Sequence, residues 1–324
     1  MVAEMAMLAL RFIVSRFMGV KMRVSGGNFK AVLTQMQENT PHLLIFGPGY
    51  SAKAIAARAQ AAGWRVSGTY RSDDKRGALV SAGIEPVSFN SDALLAAAAT
   101  ASHWLVSIAP REEGDPVLAH LKSRLNQLKT VRWIGYLSST NVYGDHGGGW
   151  VDEDTPPSPS LARGQRRLVA ENAWIEAAAS LCATLHIFRL AGIYGPGRNA
   201  IRSLLDGRAR RIIKPGQLFS RIHVADIAEA VWRAMAGDMG SMIFNLADDE
   251  PAPPQDVIAE AARLLGVEPP PEVALEDADM SAMARSFYAE SKRVKNDRLK
   301  DVLGVGLKYP SYRDALPELV KSET

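Results

Sequence analysis

Cysteine is nearly missing from this chain. Cys182 is the single one among 324 residues, so neither an intramolecular disulfide nor a multi-cysteine metal site can form. It lies in the apolar run Leu181-Cys182-Ala183, which predicts a buried, inert thiol. Such sparse cysteine fits a reducing cytoplasm, the expected location. Long apolar runs are missing too. Residues 5–10 are apolar, but Arg11 and Arg16 end the run well short of a membrane span. Glu4 stands where a secretory signal carries positive charge, so neither export nor a membrane partner is expected. A surplus of one charge is also lacking in the body of the chain. The formal net charge of +3 is carried by residues 1–40, where Arg11, Arg16, Lys21, Arg23 and Lys30 face Glu4 and Glu38. The pI near 8.9 therefore marks no basic face, and no nucleic-acid partner is expected. Nor is there a cluster spaced for a metal.

What is present is an ordinary globular composition, 47% hydrophobic and 23% charged, in a chain long enough for one or two domains. Residues 1–40 read as an extension: a flexible segment, an Arg-bearing targeting helix, or a start set too early, with Met36 the natural one. From residue 41 the pattern is organised by Leu43-Leu44-Ile45-Phe46-Gly47-Pro48-Gly49-Tyr50-Ser51-Ala52. Four apolar residues read as a buried strand. A Gly-x-Gly-x-x-Ala turn follows, then an Ala-rich helix. This strand–turn–helix holds a dinucleotide pyrophosphate. Gly47 allows the tight turn, Gly49 lets a phosphate reach the backbone, and Ala52 lets the helix pack closely. The helix N-terminus supplies free N–H groups and its positive dipole end. The same pattern also occurs as a plain turn, so the rest of the chain must decide.

Strands are expected at 64–70, 84–89, 104–108, 131–137 and 185–190, and helices at 116–129 and 164–180. Strand and helix alternate, which predicts an α/β fold: a doubly wound parallel sheet of Rossmann type over residues 41–197. Residues 198–324 read as a smaller substrate domain, with helices at 199–207, 226–236 and 255–266 and some elements returning to the sheet. The second strand ends in Tyr70-Arg71-Ser72, where an NAD-preferring site places a carboxylate. Arg71 can pair with a ribose phosphate, so NADP(H) is expected over NAD(H). Asp73 and Asp74 remain alternatives as ribose acceptors.

A fifth strand ending in Tyr136-Leu137-Ser138-Ser139-Thr140-Asn141-Val142-Tyr143-Gly144 puts hydroxyls at the carboxyl edge of the sheet. Later come Arg189-Leu190-Ala191-Gly192-Ile193-Tyr194-Gly195-Pro196-Gly197, then Ile222-His223-Val224-Ala225-Asp226, then Phe244-Asn245-Leu246-Ala247. With the glycine turn, and in this order, these segments resemble the extended short-chain dehydrogenase/reductases, the NAD-dependent epimerase/dehydratase family, over residues 42–315. The resemblance implies hydride transfer at a carbonyl or alcohol of a small molecule, and often a homodimer through helices at 116–129 and 164–179. It implies a cofactor set of Gly47, Gly49, Tyr50, Ser51, Ala52, Tyr70, Arg71, Ser72, Ile108, Ala109 and Arg167. Ser139 is the implied substrate hydroxyl, with Thr140 beside it.

The family's Tyr-x-x-x-Lys pair is missing. Counting back from Leu168-Val169-Ala170-Glu171 puts Arg167 in the lysine slot and Arg163 in the tyrosine slot. Arginine stays protonated and cannot shuttle a proton. Arg167 can still donate to a ribose. Arg163 either places a cation by the nicotinamide or turns outward. Substitute bases are Tyr143, whose usual role is packing, and His146 in a Gly-rich loop that reads as a mobile lid or a linker, with Asp145 and His223 behind them. Nucleotide-sugar members carry an arginine four residues before the histidine; here that place is Phe219, with Arg221 two residues on. The substrate set is therefore His146, Arg221 and His223, and a nucleotide sugar fits poorly. The basic run 291–296 reads as solvated surface. Two functions from different classes remain: an oxidoreductase or epimerase of atypical site, and a non-catalytic NADP(H)-binding redox sensor.

Overall fold

The computed structural model describes residues 40–324; the expectations for residues 1–39 and the Met36 start lie outside these. The first strand, β1 (His42–Phe46), is wholly buried. It is followed by α1 (Tyr50–Ala61), β2 (Arg65–Tyr70), α2 (Asp73–Ser81), β3 (Glu85–Ser88), α3 (Asp92–Thr100), β4 (His103–Val106), α4 (Pro116–Leu121), β5 (Trp133–Ser139) and β6 (Trp150–Val151). Next come α5 (Ala162–Leu181), β7 (Thr184–Leu190), β8 (Gly192–Tyr194), α6 (Ala200–Leu205), β9 (Arg211–Ile213), β10 (Arg221–His223), α7 (Val224–Ala236) and β11 (Met242–Leu246). The chain closes with α8 (Pro254–Leu265), β12 (Glu272–Ala274), α9 (Ala282–Phe287), β13 (Arg293–Val294), α10 (Asp297–Asp301) and α11 (Tyr312–Glu323).

Seven parallel strands form the central sheet in the order β11-β7-β5-β4-β1-β2-β3. This is the doubly wound α/β arrangement read from the alternation. The order reverses between β1 and β4, and a crevice opens there at the carboxyl ends of the strands. One face of the sheet is covered by apolar side chains of α1 and α7, such as Ile55, Ala59, Ile227 and Val231. The other is covered by α3, α4 and α5 through Leu94, Val117, Leu118 and Trp174. A third cluster, including Tyr194, Ile201, Ala261, Tyr312 and Leu316, joins α6, α8 and α11.

Two expectations change. The helix read at 116–129 is α-helical only to Leu121 and continues as a 3-10 turn, Lys122–Gln127, with no buried residue to anchor a longer α-helical face. Cys182 is not a buried thiol. It takes the left-handed position that ends α5, with φ of 52°, and its side chain is exposed. The apolar neighbours misled because the chain must turn there between α5 and β7, and that turn throws the side chain outward.

Candidate active site

The glycine turn ends against two neighbours. Gly47 N–H donates to Thr69 Oγ1 at 2.9 Å. With φ of 76°, Gly47 lies so close to Ile108 that a Cβ would stand 2.5 Å from its Cγ1. Gly49 differs: a Cβ there would meet nothing nearer than Gly47 O at 3.9 Å. Gly49 is the N-cap of α1, and no side chain caps that terminus. An uncapped helix end beside open space fits a dinucleotide pyrophosphate. Ala52 is fully buried under the turn. The Tyr50 hydroxyl donates to Pro196 O at 2.9 Å and ties the turn to the loop after β8.

Just after β2, Arg71 is exposed and its guanidinium lies over the Phe89 ring, 4.4 Å from the centroid. Ser72 is the N-cap of α2, and Asp73 and Asp74 occupy its first turn. Tyr70 O accepts from Phe89 N–H, and Ala109 is exposed beyond β4.

A cavity of about 640 Å³ opens at the carboxyl edge of the sheet. Gly49, Tyr50 and Ser51 line it, with Ser107 after β4, and Ser139, Thr140, Arg163, Arg167 and Arg221. Ser139 Oγ accepts the Asn141 N–H at 3.3 Å and leaves its own O–H free to donate. The turn after Ser139 is pressed against α5: a Cβ on Gly164 would lie 2.5 Å from Asn141 O. That close approach brings the two arginines of α5 to the same wall as Ser139. Arg167 Nη1 donates to Leu137 O at 2.9 Å and Tyr136 Oη at 3.2 Å. Arg163 turns neither outward nor freely into the cavity. It donates to Ser286 Oγ and, at 3.2 Å, to Ser286 O, and lies over the Phe287 ring at 4.3 Å.

Three residues expected at the site stand elsewhere. Tyr143 is fully buried; its hydroxyl donates to Asn245 Oδ1 at 2.8 Å and accepts from Arg189 Nη1 at 3.0 Å. Burial pushes this phenol up from its ordinary value, and Tyr143 does not line the cavity. Arg189 is in turn locked in a buried ion pair with Glu171 at 2.8 Å, and Ser138 Oγ donates to Glu171 Oε1 at 2.5 Å. His146 Nε2 is bonded to Tyr143 O at 3.1 Å, outside the cavity wall. His223 caps α7 by accepting Ala225 N–H at Nδ1, and burial pulls it down to about 4, so it is neutral. The Gly-rich loop is tied to the C-terminal part of the chain: His146 N–H and Gly148 N–H donate to Ser291 O, and Arg293 Nε donates to Gly148 O at 2.7 Å.

The run 291–296 is likewise not solvated surface. It enters β13, which pairs with β6 in parallel, and Ser291, Lys292 and Asn296 are buried. Residues 290, 292 and 294 share one side, and all three line the cavity. Lys292 Nζ donates to Gly144 O at 2.6 Å and to Glu290 Oε2 at 2.9 Å; Ser160 Oγ donates to Glu290 Oε1 at 2.6 Å. The sequence reading missed this Lys–Glu pair. Its one available signal was the alternation around Val294, hidden by the charges of Lys292, Arg293 and Lys295.

The seven-stranded parallel sheet, the switch-point crevice and the uncapped glycine turn define a protein of Rossmann fold with a dinucleotide-type turn. The chain belongs to the NAD dependent epimerase/dehydratase family, whose model matches residues 43–247. It is similar to a functionally unknown conserved protein from Silicibacter pomeroyi, with 49% identity, a TM-score of 0.79, and coverage of 88% of this chain and 100% of that one. Protein YeeZ of Escherichia coli K12 is 29% identical over 249 residues, 70% of this chain and 84% of that protein. A 3-diazoavenalumate denitrifying reductase from a Streptomyces species is 30% identical over 182 residues, 51% of this chain and 58% of that protein. Among the described residues no helix is long and apolar enough to cross a membrane.

Proposed function

We propose that this protein is an NADP(H)-preferring oxidoreductase that acts on a small carbonyl or alcohol, with Ser139 and Lys292 in place of the missing Tyr-Lys pair. The observation that carries this reading is one shared wall: the open end of α1, Ser139 and the Lys292–Glu290 pair line the same cavity. Gly47, Gly49 and the first turn of α1 would hold the pyrophosphate, Arg167 the nicotinamide ribose, and Arg71 the 2′-phosphate. The bound cofactor supplies or accepts a hydride. Ser139 donates its hydroxyl proton in a hydrogen bond to the substrate oxygen. Lys292 uses two of its protons on Gly144 O and Glu290, and the third is free for that same oxygen. In the reducing direction, Lys292 Nζ gives this proton to the oxygen as the carbonyl becomes a hydroxyl, and recovers one from water. Glu290 holds the ammonium in position, and Ser160 holds Glu290. The 30% identity with a protein named as a reductase supports reduction over epimerisation.

Calorimetric titration with NADPH, NADP, NADH and NAD tests the cofactor. NADPH is expected to bind at least tenfold more tightly than NADH, and Arg71→Ala to remove that preference. Absence of all four binding isotherms overturns the reading. Turnover of NADPH with a panel of aldehydes and ketones tests the chemistry. Ser139→Ala and Lys292→Met should each lower kcat by about 10²-fold or more, with NADPH affinity unchanged. The second reading, a redox sensor, rests on the arginines in both slots of the Tyr-Lys pair; tight NADPH binding with no turnover across the panel would establish it instead.

A further inference from the structure

We propose that the substrate is a small organic anion with an apolar body, a carboxylate-bearing carbonyl compound, and that Arg221 holds its carboxylate. This rests on the hydride-transfer reading above and names the class of molecule it acts on.

The wall of the cavity is short of negative charge. Arg163, Arg167, Arg198 and Arg221 line it, and among the described residues none has a carboxylate oxygen within 4.0 Å. The acid on that wall, Glu290, is already paired with Lys292. Arg163, Arg167 and Arg221 bond instead to neutral oxygens, which orient a guanidinium but leave its charge in place. A partly buried cation without a counter-ion is unfavourable, and an anionic ligand relieves it.

Arg163 is held by Ser286 and Phe287, and the other three cations divide between two ligands. Arg198 lies 5.9 Å over the ring of Tyr50, at the glycine turn, and Arg167 occupies the ribose slot. Both answer to the dinucleotide. Arg221 stands on β10, away from that turn, beside Phe219 and Ser220. Its Nη1 is fixed by Phe219 O at 2.8 Å and Ala252 O at 3.0 Å. Its Nε and Nη2 donate to nothing among the described residues, so one edge of the guanidinium fork is free for a carboxylate. The acid that acts on Arg221 most strongly is Asp248, whose two side-chain oxygens are buried and unbonded. Burial pushes that carboxyl up to about 8, which weakens it as a counter-ion for Arg221.

Part of the wall near Arg221 and Arg163 is apolar. Ile193, Leu218, Phe219 and Phe287 line the cavity, and Arg163 lies over the Phe287 ring. An aryl or branched aliphatic body meets these side chains. With the nicotinamide end of the cofactor in the same 640 Å³, the space remaining suits a compact molecule. Phe219 stands where a diphosphate-gripping arginine would, and that position offers a nucleotide sugar no cation.

The test is calorimetry on the full chain, saturated with NADPH and free of it, with phenylpyruvate, its neutral counterpart phenylacetone, and UDP-glucose as probes. Phenylpyruvate is expected to bind at least tenfold more tightly than phenylacetone. Arg221→Gln should reduce phenylpyruvate to the phenylacetone level without altering NADPH affinity, and Arg221→Lys should restore part of the difference. Because Arg221 also holds two backbone carbonyls, the wild-type protein is measured at low and high salt as well: phenylpyruvate should weaken with salt and phenylacetone should not. Equal binding of the two ketones, tighter binding of UDP-glucose, or no binding of either ketone to the NADPH-saturated protein overturns the proposal. Failure of NADPH itself to bind overturns the hydride-transfer reading instead, and the difference between the two ketones on the cofactor-free protein then judges the anion site alone.

Discussion

Tyr143 and Asp248 are polar residues that the fold encloses in opposite ways. Tyr143 has both hydrogen-bond roles filled, by Asn245 and Arg189. Tyr143→Phe leaves both partners short and should cost about 1–3 kcal/mol in chemical denaturation, with NADPH affinity unchanged. Asp248 is buried with neither oxygen bonded, and its carboxyl is pushed up to about 8 from an ordinary 3.8. A carboxyl whose folded value lies above its unfolded value keeps its proton in the fold and releases it on unfolding. Stability from this group is therefore present at low pH and lost as pH rises from about 4 to about 8, by at most about 1.4 kcal/mol per unit. Asp248→Asn should remove that loss. The gain in Tm over wild type should grow across this window and level off above it; a gain that does not change with pH would refute the assignment. The neutral histidines act in the reverse sense. His42, His103 and His223 are pulled down by burial to about 4, so their contribution is lost as pH falls from 6.5 toward 4.

At the scale of the element, the glycine turn holds two glycines with different duties. Gly47 is required by the fold, since it combines a left-handed φ with contact on Ile108. Gly49 has φ of −88° and open space around it. Gly47→Ala should therefore lower Tm by several degrees. Gly49→Ala should leave Tm nearly unchanged while weakening NADPH at least tenfold, because the added methyl occupies the place a phosphate would take. Calorimetry and thermal denaturation on the two variants separate these outcomes. The short α9 is held to α5 by Arg163, through Ser286 and Phe287. Arg163→Ala should raise the rate of proteolytic cleavage within 282–287 at least severalfold, and an unchanged rate would show that other contacts hold α9.

Across the whole molecule, the Glu171–Arg189 pair joins α5 to β7 inside the body, with both side chains at most 3% exposed. Removing one partner strands a charge in the interior. Glu171→Ala should cost about 3–5 kcal/mol in denaturant unfolding, and Glu171→Ala with Arg189→Met should recover much of it. This pair also links the Tyr-Gly segment, Ser138 and the helix that carries Arg163 and Arg167 into one rigid support for the cavity wall.

The central fold was legible because its signals are local. Alternating apolar strands and helices, a glycine turn at 47–49 and hydroxyls after β5 each follow from a few consecutive residues, and the parallel sheet follows from their order. The pinned Gly-rich loop and the burial of Tyr143 were not legible, since each depends on partners far along the chain; the left-handed turn at Cys182 is local, but its apolar neighbours concealed it. Lys292 and Glu290 are the clearest case. By sequence they belong to a charged run near the end of the chain; β13 pairs with β6 and brings both to the cavity. The sequence by itself determined the sheet, the cofactor turn and the loss of the Tyr-Lys pair, because backbone geometry and side-chain chemistry are set residue by residue. Only the tertiary structure decided which charges stand together on the cavity wall and which lack a counter-ion, because that depends on distances between segments more than 100 residues apart, such as Gly144 and Lys292.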